Sequence, residues 1–277
     1  MKEDDGMIFG DIKKINLNGD VLPRIDHIEE TILEVKTIKH EEKMVPCKKE
    51  VLDYVFLNNE IKSVAELGCV WGVEGVYGRY VASKYGNILV KMVDSHWTKE
   101  AKELCSEFSN IITISDNFGN ADTPSKIGRV DAIIFFDVLL HQVAPDWDRM
   151  LQMYAPFTDF FIIVQPQYNG SPITVRLLDL GYEEYFANVP HEKEHPTYKN
   201  LFDKMFEINT EHGNRIWRDI HNVWQWGITD SDLVYKMDCL GFKLVYQKNG
   251  GIWGNLKNWE NNSFVFKRIC EKSPNGT

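Results

Sequence analysis

The amino-acid sequence predicts a doubly wound α/β fold, with a mostly parallel seven-stranded sheet, a C-terminal antiparallel hairpin, an N-terminal helical arm and an inserted helical segment. Three observations predict it. An apolar approach from Ile61 to Leu67 runs into the glycine-rich stretch Gly68-Cys69-Val70-Trp71-Gly72-Val73-Glu74-Gly75, as a buried strand does when it turns sharply into a helix. A second apolar run, bounded by Asp131 and Asp137, reads as a central strand buried on both faces. Near the end, Phe242–Tyr246 and Ser263–Lys267 are two strands joined by a glycine-rich connection from Asn249 to Asn262.

The bulk properties narrow the class. With 277 residues, 43% hydrophobic and 26% charged, the chain can bury one large core, or one core and an inserted subdomain. Its 31 Lys and Arg stand against 41 Asp and Glu, for a net charge of −10, which disfavours a phosphate backbone as partner. No stretch approaches the ~20 apolar residues of a membrane span, and the start, Met1-Lys2-Glu3-Asp4-Asp5, lacks the apolar run of a signal peptide. The five cysteines, Cys47, Cys69, Cys105, Cys239 and Cys270, are scattered and form no C-x-x-C pair. Reduced thiols in a cytoplasmic protein fit that pattern better than a disulfide framework.

In chain order, residues 1 to about 24 read as a loosely packed arm. Ile28, Ile32, Val35 and Ile38 then recur at helical spacing from Asp26 to about Met44, a helix suited to covering a core or contacting a second copy in a homodimer. Pro46 breaks it, and Val51, Leu52, Val55 and Phe56 carry a second short helix to Asn58-Asn59. After the glycine turn come a helix bearing Val76, Tyr80 and Val81, a strand over Ile88–Val93, a helix from Thr98 to about Phe108 and a short strand over Ile111–Ile114. The central strand follows, then a helix from Met150 to about Pro156 and a strand over Phe160–Val164. From Asn169 to about Gly227 the alternation lapses into a segment rich in aromatics and histidines. Thr229 or Asp230 caps a last helix lined by Leu233, Met237 and Leu240, which ends at Gly241 before the hairpin. The expected organisation is therefore arm and helix (1–45), core (46–168), insertion (169–227) and completing helix and hairpin (228–277).

Glu66-Leu67-Gly68-Cys69-Val70-Trp71-Gly72 resembles motif I of the class I S-adenosylmethionine (SAM) dependent methyltransferases, E-x-G-x-G-x-G, with Val70 in place of the central glycine. The dinucleotide fingerprint G-x-G-x-x-G fails at that same residue, which disfavours an NAD-dependent enzyme. Asp137-Val138-Leu139-Leu140-His141, closing the central strand, resembles motif IV of the same superfamily, and the terminal hairpin is how its sheet closes. The likeness covers roughly 60–166 and 228–268.

The resemblance implies SAM as cofactor and a rim of acids, Glu66, Asp94, Asp116 and Asp137, at the carboxyl ends of parallel strands. Glu66 would hold the methionine amino end with the backbone of Gly68, Cys69 and Gly72. Asp94, 26 residues beyond Gly68, would take the ribose hydroxyls with Ser95 beside it, or else cap a helix. Asp116, Asn117 and Phe118 would meet the adenine, or else Asp116-Asn117 forms only an Asx turn. The inserted segment stands where the superfamily places substrate-covering elements, so it reads as a lid or as an insertion packing its own aromatics. For an oxygen acceptor a base is needed, and His141 or His221 would supply it; either is equally read as a histidine held by backbone hydrogen bonds. His191-Glu192-Lys193-Glu194-His195 matches H-E-x-x-H, but Pro190 and Pro196 bracket it and no apolar helical face holds it, so no metal site is expected. The expected reaction is methyl transfer to an oxygen or nitrogen of a small polar metabolite or sugar. The alternative is a methyltransferase-like scaffold that has lost catalysis.

Overall fold

The computed structural model describes residues 38–269. The arm, most of the helix expected from Asp26 to Met44 with its homodimer contact, and Cys270 lie outside the described residues. At the described end of that stretch Glu41–Lys43 forms a single 3-10 turn entered through His40, a non-glycine residue at φ 70°. The helix cannot continue into Pro46, because proline forces the residue before it out of the α region, and Val45 is extended at φ −76°, ψ 129°. Proline has no N–H to leave unbonded, so Pro46 starts the next helix, α1 (Pro46–Asn58).

Seven strands form the sheet: β1 (Ser63–Leu67), β2 (Leu89–Asp94), β3 (Ile111–Ser115), β4 (Ala132–Phe136), β5 (Phe160–Tyr168), β6 (Phe242–Ile252) and β7 (Trp259–Arg268). Their order is β6-β7-β5-β4-β1-β2-β3. Strands β1 to β5 run parallel, and β7 is antiparallel to both β5 and β6. Register at the start of β1 is pinned by Asp131, whose Oδ2 accepts from the amides of Lys62 and Ser63 at 2.8 and 2.9 Å. That acid is therefore structural.

Side-chain alternation sends Val64, Ile134 and Ile162 to one face, under α1 and α2 (Val76–Lys84), with α3 (Lys99–Ser106) at its edge. It sends Ala65, Ile133, Phe135, Phe161 and Ile163 to the other, under α5 (Trp147–Tyr154) and α7 (Asp230–Cys239). β4 is buried along its whole length, and each such Ile or Phe contributes about 1.5–3 kcal/mol by leaving water. Between β3 and β4 a short α4 (Thr123–Ile127) is added, with Pro124 in its first turn and Gly128 at φ 70° beyond it.

Two elements are longer than the sequence pattern suggests. β5 continues past Val164 through Pro166 to Tyr168. Proline is tolerated there because β4 ends opposite Val164, so the side to which Pro166 lacks an N–H has no further strand to pair. The hairpin pairs as far as Ile252 with Glu260, which leaves only 253–258 as connection. Gly250 permits this: a Cβ there would stand 2.6 Å from the Asn261 carbonyl.

The insertion contains one α-helix, α6 (Tyr182–Ala187), with 3-10 turns at Leu177–Leu180, Thr210–His212 and Trp217–Asp219. Two-residue ribbons pair Val175–Arg176 with Trp226–Gly227 and Ile208–Asn209 with Arg215–Ile216. It packs a core of its own, including Leu177, Tyr185, Phe186 and Trp224, onto Leu140 and Trp259.

Candidate active site

The glycine turn closes without its central glycine. Gly68, Gly72 and Gly75 take φ of 71°, 73° and 70°, and Glu74 joins them at 50°, whereas Val70 is not left-handed. The turn therefore places its glycines where positive φ is required and leaves Val70 an ordinary residue, buried in the core at 2% exposure. The Gly68 amide donates to the Val93 carbonyl and that of Gly75 to the Cys69 carbonyl, both at 2.9 Å, fixing the turn to β2 and to itself. Nothing lies within 4 Å of where a Cβ on Gly72 would stand, so the turn faces open space there. Trp71, beside it, is 91% exposed.

Asp94 ends β2 directly against this turn. Its Oδ2 accepts from the Val70 amide at 3.0 Å and its Oδ1 from the His96 amide at 2.8 Å. A carboxylate has about four acceptor sites, so each oxygen keeps capacity for another donor. Ser95 is turned outward, its hydroxyl 2.8 Å from the His96 ring.

Glu66 lies on the α1–α2 face, 2% exposed, with Oε2 unpartnered. Burial pushes its carboxyl up to about 8, against the opposing influences of the Gly78 backbone and Lys48. Gly78 is required for this contact, because a Cβ there would stand 2.8 Å from Glu66 Oε2.

Phe118 and Val138 meet over Gly68: Val138 Cγ2 and Phe118 Cε1 lie 3.0 and 3.3 Å from where its Cβ would be. The β3 and β4 loops thus converge on the first glycine. Asp116 is engaged within its own loop. Its Oδ2 accepts from Lys126 at 2.7 Å and its Oδ1 from the Asn117 amide and the Asn120 side chain, and Lys126 holds the carboxyl below its usual range. Asn117 Oδ1 accepts from the Gly119 amide at 2.8 Å, so Asp116-Asn117 does form the Asx turn, and that turn carries Phe118.

Asp137 closes β4 at φ 55° and pairs with Lys48 of α1. Lys48 is 6% exposed at its side chain and lies over the Tyr77 and Phe136 rings at 5.3 and 5.5 Å. Burial opposes the charged ammonium, but the Asp137 carboxylate beside it, with Tyr77, outweighs that, and Lys48 sits above its usual value. The sequence reading missed Lys48. Its signal was a lysine three residues before Val51, on the same stripe of α1 as Val51, Leu52 and Val55.

His141 follows in a 3-10 turn, Leu139–His141, and its Nδ1 lies 3.3 Å from the Val223 carbonyl. Because a carbonyl only accepts, Nδ1 carries the hydrogen, and the His221 backbone meets the ring as well. Burial lowers the pKa of this imidazole, so it is neutral near pH 7. His221 stands at the surface of the insertion and is lowered too, first by burial of its ring and then by Arg215. The insertion is tied over this loop by the Gln225 amide to the Leu140 carbonyl at 3.1 Å and by Trp226 Nε1 to the Gln142 carbonyl at 2.7 Å. His191 and His195 do not share a helix: the His191 ring stacks on Tyr198 at 4.1 Å and is lowered to about 4 by burial. A cavity of about 560 Å³ opens beyond the same loop, between Val143–Asp146, α5 and Arg176 and Asp219 of the insertion. None of the residues expected from the sequence lines it.

No protein-family model matches the chain, and no curated protein matches it. Among solved structures it is similar to the N-terminal domain of EvdMO1 in the presence of S-adenosylhomocysteine (SAH) and D-fucose, at 12% identity and a TM-score of 0.52, over 80% of this chain and 82% of that one. It is similar also to 1,6-didemethyltoxoflavin-N1-methyltransferase of Burkholderia thailandensis with bound 1,6-didemethyltoxoflavin and SAH, at 11% identity and a TM-score of 0.50, over 81% of this chain and 78% of that one. The chain has the class I methyltransferase fold, with the mostly parallel seven-stranded sheet and terminal hairpin that the sequence predicts.

Proposed function

We propose that this chain transfers the methyl group of SAM to an oxygen or nitrogen of a small polar molecule, a sugar among the candidates, in the cytoplasm. The observation that carries the reading is the left-handed Gly68 turn, closed by Phe118 and Val138 and seated on Asp94, in a fold whose solved examples hold SAH. Bound SAM supplies an electrophilic methyl on a sulfonium.

The chain's residues would do the rest by positioning. Glu66, whose Oε2 lacks a partner, would accept from the amino end together with the backbone of Gly68, Cys69 and Gly72. Asp94 would take the ribose hydroxyls on the acceptor sites that Val70 and His96 leave, with Ser95 beside it. Phe118 would cover the adenine, on the turn that Asp116 and Asn117 shape. Asp137, fixed by Lys48, would border the methyl position. For an oxygen acceptor His141 would remove the proton, and His221, carried by the insertion acting as a lid, is the second candidate.

Calorimetric titration with SAH tests the reading. Wild type is expected to bind at micromolar concentration and Asp94→Ala at least about tenfold more weakly, the loss of a charged hydrogen-bond acceptor. No heat from wild type at high micromolar protein, or equal binding by Asp94→Ala, would count against it.

A further inference from the structure

The exit of β5 holds two side chains that the fold itself does not use. Gln165 is fully buried and Gln167 is 2% exposed, and neither the oxygen nor the nitrogen of either carboxamide has a hydrogen-bond partner. Their neighbour across the ladder extends the pattern. Asn262 of β7, opposite Gln165, is 3% exposed and donates to Asp230, but its Oδ1 is also unpartnered. Buried polar groups in folded proteins are nearly always paired, because leaving them unmade costs their full desolvation. Two adjacent carboxamides on one strand, each wholly unmatched, are a built set of donors and acceptors awaiting a third party.

Their place in the fold says which. The Asp137 amide donates to the Val164 carbonyl at 2.9 Å, so Gln165 stands immediately past the level of the rim, beside the β4 end that carries Val138 and His141. Alternation along the strand puts Gln165 and Gln167 on one face, about 7 Å apart. The Tyr168 amide donates to the Ile228 carbonyl at 2.7 Å, which lays the residue that follows the insertion along this same stretch. The glycine turn, Asp94 and Phe118 lie on the other side of β4, across β1, β2 and β3. The carboxamides thus belong to the acceptor side, under the insertion.

We propose that Gln165 and Gln167 bind the methyl acceptor, and that this acceptor is an uncharged molecule whose hydroxyl or amide groups both donate and accept hydrogen bonds. The inference rests on the methyltransferase reading and deepens it. A carboxamide presents an acceptor oxygen beside two donor hydrogens, which matches such groups and gives no full charge to an ionised one. Asn262, opposite Gln165, links the set to the Asp230 carboxyl, which offers an anion no favourable charge.

The test uses the full chain, tritiated SAM, and a cell-metabolite pool separated on ion exchangers into neutral, anionic and cationic fractions. The variants are Gln165→Met and Gln167→Met, which keep an unbranched side chain of similar size and remove the amide. Label is expected in the neutral fraction, reduced at least about tenfold by each variant, while SAH affinity stays within twofold. The thermal midpoint is expected to rise by about 2–4 °C, because each variant removes an unmatched buried polar group. A side chain that merely supports the fold would lower the midpoint instead, and that result would overturn the proposal. So would label confined to charged fractions, label in no fraction from a protein that binds SAH, or variants that transfer like wild type. Failure of the wild type to bind SAH is a separate result: it removes the methyltransferase reading first and this inference with it.

Discussion

At the β1–β3 end of the rim, polar side chains hold the main chain of the turns, whereas at the β4–β5 end Asp137 is held by Lys48 of α1 and other polar groups are tied to the insertion or to nothing. Asp94 accepts from the amides of Val70 and His96, and Asn117 from that of Gly119. His141 reaches across to Val223 of the insertion, and Gln165 and Gln167 have no partner in the fold. The first end is shaped before any ligand arrives, as suits a site for one invariant molecule. The second has recognition groups in reserve, as suits a site whose occupant completes it. The two ends should therefore fail differently when altered.

The largest effect is expected at Gly68. A valine there would have to adopt φ 71°, and its Cβ would meet Val138 at 3.0 Å and Phe118 at 3.3 Å, so both side chains must give way. The strained backbone alone costs about 1–3 kcal/mol. Gly68→Val is expected to abolish SAH binding by calorimetry and to lower the denaturant midpoint. Retained binding would mean that the turn is not the cofactor cradle, and the contrast between the two ends would be lost.

At the other end, His141→Asn is expected to leave SAH binding within about threefold and to cut methyl transfer to an oxygen acceptor about 10²-fold, the usual contribution of a positioned base. The pH profile gives the second readout. Burial lowers the imidazole pKa, so the neutral, competent form should persist below the ordinary histidine value of about 6.5. Wild-type kcat/KM is expected to rise with pH along a limb centred below that value, and the limb should vanish in His141→Asn. An unchanged profile would point to an amine acceptor that needs no base.

Much of the β1–β3 end was legible in the sequence, and the reason is local. Positive φ requires glycine within a few residues, so Gly68, Gly72 and Gly75 announce the turn, with Glu74 the exception. The β4–β5 end was not legible to the same degree, because its contacts are made across long stretches of chain. Gln165-Pro166-Gln167 reads as the end of a strand, and only the early termination of β4 lets the strand continue through the proline. The hairpin reads as a long loop because its glycines look like breakers, yet Gly250 serves close approach to Asn261 within a pairing ladder. Asp116 could be read as an adenine ligand or as a turn residue; Lys126, ten residues on, is what engages its carboxylate.

A smaller effect separates the foundation of the turn from its surface. Glu66 has a folded pKa of about 8 against an ordinary 4.5, raised chiefly by burial. The folded state therefore keeps a proton that the unfolded chain gives up. The associated stability is fully present below about 4.5, declines as pH rises, and is gone once pH passes about 8. Glu66→Gln mimics the protonated form and should remove this slope. Urea unfolding at pH 5.5 and 8.0 checks it: wild type is expected to lose at least about 2 kcal/mol more than the variant across that interval, each pKa unit being worth about 1.4 kcal/mol.

The smallest effect tests whether the β1–β3 end is shaped as a unit. Thr98 caps α3 by accepting from the Ala101 amide at 2.9 Å, and its hydroxyl donates to Glu74 Oε2 at 2.5 Å. One side chain thus joins the loop after β2 to the left-handed part of the glycine turn. Loss of a threonine cap costs about 1 kcal/mol, and Thr98→Ala is expected to lower stability by that amount in urea. If the turn is held by the link to Glu74, SAH affinity should fall with it by about two- to threefold, and Thr98→Ser, which keeps the hydroxyl, should restore both. A loss of stability with no change in SAH affinity would show that the turn holds its shape without α3, leaving Asp94 and the glycines as its only necessary supports.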